Sequence, residues 1–268
     1  MKYERARERN GPSSFLSIIT QCLLLIIALR RVHSKPSPSP LLPPHTTTTI
    51  TTTTSQVAAH YPRGRDRPHN YQILKDEVHY SGWRKVVRRS VTINDHPHKR
   101  IDFDVIDQAQ SSGGAVIVFA WNSTSKTATI IREYMPGPHR VLSGLAAGIV
   151  EDGKHANELG EEISLVAAKF ELEEECHLAG GTWHRLTEDG VSVPMDKYVI
   201  TEITPYLVID AQHVPHPRPL DDEEDIEIVR GISADQILQM IREGDFNLVG
   251  GWGALLALQK LRELGEIK

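Results

Sequence analysis

Lys169-Phe170-Glu171-Leu172-Glu173-Glu174-Glu175-Cys176-His177-Leu178 is the stretch on which the reading of this chain turns, and the small, apolar Gly144-Leu145-Ala146-Ala147-Gly148 lies upstream of it. With 3.6 residues per turn, Glu171, Glu174 and Glu175 stand at i, i+3 and i+4, so a helix here projects three carboxylates from one face. Like charges stacked that way repel. Leu165, Ala168, Leu172 and Cys176 form a separate apolar stripe, which predicts that the carboxylate face looks outward, to solvent or a cleft. An acidic run of good helix formers is often a merely solvated face. The other reading is a cation site, since hard divalent ions take carboxylate and carbonyl oxygens and complete their shell with substrate phosphates.

The segment resembles the second half of the Nudix box, whose pattern is Gly, five residues, Glu, seven residues, then Arg-Glu-apolar-x-Glu-Glu-x-Gly-apolar. Glu162 precedes Phe170 with the seven-residue spacing, and Glu171, Leu172, Glu174, Glu175 and Leu178 fall on pattern. Ala146-Ala147-Gly148 matches the opening glycine in its usual setting. Thirteen residues then separate Gly148 from Glu162 where the pattern has five, an insertion of eight at roughly 154–161. Phe170 stands where the family has an arginine that orients a box glutamate, and His177 where it has the glycine that ends the helix. Loop growth costs little chain entropy, about 0.6 kcal/mol per doubling, so these departures threaten rate more than fold.

The resemblance spans roughly residues 70–268. Pro194, sixteen positions after Leu178, is similar in spacing to Nudix enzymes acting on ADP-ribose and other nucleoside diphosphate sugars. Leu220-Asp221-Asp222-Glu223-Glu224-Asp225-Ile226-Glu227-Ile228, then a helix after Ser233 and a second apolar helix, resembles the last third of bacterial-type ADP-ribose pyrophosphatases. A plain solvated turn is the competing reading of that acidic run.

What the resemblance implies can be stated residue by residue. Glu171, Glu174 and Glu175, with the carbonyl of Ala147, would hold Mg²⁺ or Mn²⁺, and Glu224 would add a carboxylate from the acidic loop. Asp222 or Glu223 would activate the attacking water, with Glu174 sharing in the catalysis. Arg132, in Ile130-Ile131-Arg132-Glu133-Tyr134, and Arg140 carry guanidinium forks suited to clamping a diphosphate. Gly250-Gly251-Trp252-Gly253 reads as a flexible entry to the last helix, with Trp252 bordering the sugar or base, or as a simple interhelical turn. No nucleophile paired with a base is evident, which suits metal-assisted hydrolysis.

Lys2, Arg5, Arg7 and Arg9 precede an apolar run from Phe15 to Leu29, and 36–55 is almost all Pro, Ser and Thr. This reads as a secretory signal peptide or short signal anchor followed by a linker, together 1–66. The Ser/Thr-rich, acid-poor stretch after the apolar run also resembles the two-part targeting sequences of algal secondary plastids, so the expected destination is plastid, endoplasmic reticulum or exterior, with membrane attachment only through an uncleaved N-terminal segment. The remaining 67–268 suffices for one domain. Within it 67–110 alternates apolar and polar residues, as in Lys85 to Ile93, and predicts a small antiparallel β subdomain. Ala115 to Trp121 reads as a buried strand hairpinned to Thr127–Tyr134, and helices are expected at 163–176, 233–243 and 253–264. Asn122-Ser123-Thr124, at the hairpin tip, is a glycosylation sequon.

The net charge is −5 and the leader is basic, so the folded part is more acidic still, which argues against non-specific nucleic-acid binding. With only Cys22 and Cys176 in the chain, a disulfide-built domain is excluded. His96, His98, His213 and His216 sit in Pro-rich turns without the partners a zinc site needs. What the resemblance implies is an α/β Nudix-type αβα sandwich that hydrolyses a nucleoside diphosphate sugar, and, since relatives of this kind often dimerise through the N-terminal sheet, a homodimer. Two competitors are a Nudix-like module that binds such a nucleotide without cleaving it, and an enzyme acting on another diphosphate.

Overall fold

The computed structural model describes residues 69–108, 114–155, 160–221 and 224–268. The leader and linker read at 1–66, and the loop carboxylates Asp222 and Glu223, lie outside them. Period-two alternation after residue 70 becomes three strands, β1 (Tyr71–Ser81), β2 (Arg84–Ile93) and β3 (His96–Gln108), paired antiparallel with Val87 opposite Val105 and Val91 opposite Ile101. This meander joins the main sheet where β3 meets β11 (Val199–Ile209), Ile106 pairing with Val199.

The apolar run 115–121 is β4 (Ala115–Asn122). It lies parallel to β11 and antiparallel to β5 (Thr127–Met135), giving the order β1-β2-β3-β11-β4-β5-β13, the last being Ile226–Ile232. A strand covered on both faces needs no polar side, and Val116, Ile117, Val118 and Phe119 are all buried. Their alternation sorts the core into two. Val116, Val118 and Ile131 pack against α2 (Ile163–Cys176), whereas Phe119, Trp121 and Ile130 pack against α4 (Leu248–Glu263) and α3 (Ala234–Glu243). Helix, sheet and helices make three layers. Shorter strands complete the sheet: β6 (Arg140–Gly144) on β5, β7 (Ala146–Ile149) on β4, and β9 (Thr182–Arg185) and β10 (Val193–Asp196) on β11. A separate pair is β8 (Leu178–Ala179) with β12 (Gln212–His213), and the inserted loop opens with the single turn α1 (Asp152–His155).

The helix bounds follow local chemistry. Ser233 and Gln236 form the capping box expected for α3. α4 corrects the reading of 250–253 as a flexible entry: it begins at Leu248, where the Asn247 side chain accepts from the Gly250 N–H at 2.6 Å, and it runs through all three glycines. Gly253 is the one that lets the helix come close to the sheet. A Cβ on Gly253 would lie 2.3 Å from Ile117 Cδ1.

α2 ends at His177 in the left-handed conformation (φ 54°, ψ 40°), its N–H donating to the Glu173 carbonyl, and Arg230 of β13 donates to the Cys176 carbonyl at 2.8 Å. The backbone thus makes the turn that glycine makes freely, at the steric cost of a Cβ. His177→Gly is expected to raise stability by about 0.5–1 kcal/mol, readable as a higher urea midpoint with an unchanged slope.

Candidate functional site

α2 presents Glu171, Glu174 and Glu175 as the spacing requires, and of the two surroundings expected for that face, solvent or a cleft, burial excludes open solvent. The three are only 6 %, 6 % and 3 % exposed. They are covered where β7 and α1 pack on α2, on a face adjoining the stripe that Leu172 and Cys176 bury in the core.

Each carboxylate has a distinct environment. Glu175 accepts the Ala147 backbone N–H at 2.8 Å, which ties the end of the helix to β7. Burial, with the neighbouring charge of Glu171, still holds its carboxyl well above the usual carboxylate range. Glu171 lies against Gly148, where an added Cβ would sit 2.1 Å from its carboxyl carbon, so only a glycine makes room for it. Burial, then repulsion from Glu174, pushes Glu171 up to about 8. Glu174 is held by Lys154 of α1, Nζ to Oε2 3.2 Å.

Four further acids contribute in different ways. Glu224 is half-buried and raised by burial, and it feels Asp221, Glu133 and Glu174. Its side chain accepts the Asp221 N–H at 3.3 Å, and its own N–H donates to the Asp221 carbonyl at 3.0 Å, so the two fix each other in one turn. Glu133 on β5 shares the α2 side with Ile131, two residues away, and burial raises it too. Glu162, the first acid of the box, instead pairs with Arg185 and accepts from Ser164.

The structure therefore brings together Ala147, Glu171, Glu174, Glu175 and Glu224 from the residues expected in the sequence, and adds Glu133, Asp221 and Lys154. Asp222 and Glu223 are outside the described residues. Glu133 was legible in principle, since strand alternation places it on the Ile131 side. Lys154 lies in the insertion, where no periodicity marks it.

Arg132, Arg140 and Trp252 lie elsewhere. Arg132 alternates to the other face of β5 and stands 3.7 Å from Glu227, its neighbour on β13. Arg140 donates to the Gly244 carbonyl at 3.0 Å, closing the end of α3. With Trp252 it lines a groove of about 690 Å³ whose other walls include Met135, Leu142, Phe246 and Leu255, and none of the clustered acids borders it.

Phe170 is enclosed from both sides: His155 meets its ring edge-on at 5.3 Å, and the Arg218 guanidinium lies over it at 3.7 Å from the centroid. Arg218 also pairs with Glu173, Nε to Oε2 3.4 Å. A guanidinium from the loop before β13 thus stacks on the aromatic ring at the position where the family pattern has an arginine.

Among the described residues no three acidic, imidazole or thiol side chains stand ready to grip an ion. The donors nevertheless fit a hard divalent cation. They are all carboxylate or backbone oxygens, and Gly148, having no Cβ, lets the Glu171 carboxylate lie against the backbone beside Ala147.

No family model matches the chain, and no curated protein matches it. Among solved structures, the crystal structure of an ADP compounds hydrolase is similar with a TM-score of 0.58, covering 74% of this chain and 98% of its own at 18% identity. Likeness at that identity speaks to architecture: the three layers and mixed sheet of this chain are an α/β fold of the Nudix type.

Proposed function

We propose that the protein is a metal-dependent hydrolase of the diphosphate bond in a nucleoside diphosphate sugar such as ADP-ribose or an ADP- or UDP-sugar. The observation that carries this is the buried acidic cluster of α2 set against Ala147-Gly148. Three carboxylates are not held together out of water at such cost unless a cation or a proton answers them, and phosphate chemistry is where such sites are used.

Glu171, Glu174, Glu175 and the backbone at Ala147 would hold Mg²⁺ or Mn²⁺, with Glu224 joining from the loop. Those residues would thereby bring to the diphosphate a cation able to offset the negative charge that builds up as the bond is cleaved. The chain's own groups do the rest. Glu224 and its neighbours Asp222 and Glu223 form the loop from which a carboxylate takes the proton of the attacking water. Water oxygen bonds to one phosphorus as the bridging P–O bond breaks, and the products are a nucleoside monophosphate and a sugar phosphate. Glu171 and Glu175, fixed by Gly148 and by the Ala147 N–H, keep the donor geometry from relaxing between turnovers.

β1 supports the homodimer reading, because Tyr71, Ile73, Val78 and Tyr80 are all more than half exposed and the adjoining Trp83 is 72 % exposed. The secretory leader belongs to the same proposal and is carried by residues 1–66 alone.

A second reading, a nucleotide-binding module without turnover, draws on the Lys154–Glu174 pair and on Phe170 in place of an arginine. The experiment measures release of phosphate monoester from ADP-ribose, ADP-glucose and UDP-glucose with Mg²⁺ or Mn²⁺, beside a Glu174→Gln, Glu175→Gln double variant. Metal-dependent turnover absent from the double variant is expected. Thermal stabilisation by these nucleotides without any turnover would instead select the binding module.

A further inference from the structure

The insertion between Gly148 and Glu162 does more than lengthen a loop. Its first turn is anchored from beneath by His155, which is 0 % exposed, accepts the Glu151 N–H on Nδ1 at 3.0 Å and packs against Phe170, itself capped by Arg218. That anchoring fixes the residue before it. The Lys154 side chain is one-third exposed, with its ammonium 3.2 Å from Glu174, and it also acts electrostatically on Glu171 and Asp221. Burial holds His155 below the ordinary imidazole range, so in this turn the lysine is what brings positive charge to the acids.

We propose that Lys154 is a tethered counter-ion of the acidic cluster, holding Glu174 in the metal-free protein and competing there with the divalent cation. This rests on the metal-dependent reading above. The chemistry is an exchange of one cation for another at the same oxygen. A buried carboxylate without a partner is strongly destabilising, so a lysine at the site protects the fold while the metal is away. Once the metal arrives, the same ammonium opposes it, both by occupying Glu174 and by plain repulsion between like charges. Lys154 is thus a positioning residue that sets how tightly the metal is held. It belongs to the inserted loop and not to the helix that carries the ligands.

The test uses the full chain as wild type, Lys154→Met, Lys154→Gln and Lys154→Arg, freed of metal. Mn²⁺ affinity is measured by the loss of free-ion electron paramagnetic resonance signal, and the metal-free melting temperature by calorimetry. Both neutral variants are expected to bind Mn²⁺ about tenfold more tightly than wild type, and Lys154→Arg to bind as wild type does. Without metal, the neutral variants should melt lower by about 3 °C, and Mn²⁺ should restore them. Unchanged or weaker Mn²⁺ binding in the neutral variants overturns the proposal whatever the melting temperature does. Equal tightening in Lys154→Arg also overturns it, because charge would then be irrelevant. If neither wild type nor any variant binds Mn²⁺, the metal-dependent reading falls and takes this one with it, an outcome distinct from failure of the lysine alone.

Discussion

Glu171→Gln should lower kcat/KM by about 10²–10³-fold and at the same time make the metal-free protein more stable in alkaline buffer. On the proposed metal-dependent reading, the first effect follows from removing one anionic ligand where a metal would supply several kcal/mol to the transition state, each 1.36 kcal/mol being a factor of ten. The second follows from burial. Burial, then the charge of Glu174, pushes Glu171 up from the ordinary 4.5 to about 8 in the folded chain. A carboxyl whose folded value is raised keeps its proton longer in the native state, so the native state binds more protons between those limits and stability falls as pH rises through them. Glutamine has no proton to lose. The gap between variant and wild type should therefore be small near pH 5, widen to pH 8 and then level off at roughly 3–5 kcal/mol. Urea unfolding of the metal-free proteins at pH 5, 7 and 9 reads the difference, and a gap that stays constant across that range would refute the buried-acid account.

Gly148→Ala should injure both fold and rate. The new methyl would stand 2.1 Å from the Glu171 carboxyl carbon and 2.5 Å from its Oε2. That carboxyl is the end of a side chain, but it is nearly sealed in and has little room to swing. Displacing it is expected to cost about 1–3 kcal/mol, in the range of other overpacked sites. A ligand moved by about 1 Å is expected to lose activity by roughly 10²-fold. In a Glu171→Ala background the clash partner is gone, so the stability cost of Gly148→Ala should largely vanish, a coupling that a double-mutant cycle measures directly. An alanine protein with wild-type melting and turnover would show that β7 yields freely and that the glycine has no such role.

Much of this architecture could be read from periodicity. β4 and β5 carry residue-by-residue signals of burial, and α2 spans the same residues in structure as in sequence because Leu172, Cys176 and the glutamates keep helical spacing. Local chemistry also sufficed where a cap decides the matter, as with Ser233 and Gln236. What stayed hidden depended on tertiary contact. Three acids within five residues look solvated in one dimension, and only the fold buries them, Glu175 against β7 and Glu174 beside Lys154 of α1. Gly253 resembles a breaker until Ile117 is seen beneath it. Arg140 looked free for a diphosphate, yet it spends its guanidinium on the Gly244 carbonyl, a partner 104 residues away. Lys154 and Arg218 come from segments without any period, so no pattern foretold that both would converge on α2.

The sealed thiol of Cys176 gives the acidic helix a built-in clock. It lies 1 % exposed at the end of α2, burial pushes it far from ionising, and Cys22 is the only other cysteine in the chain. A thiol reagent can therefore reach it only when that turn opens, since reaction requires exposed thiolate. The slow phase of labelling counts openings of the helix that carries Glu171, Glu174 and Glu175, and its lengthening in Mn²⁺ would time the grip of the ion without a single substitution.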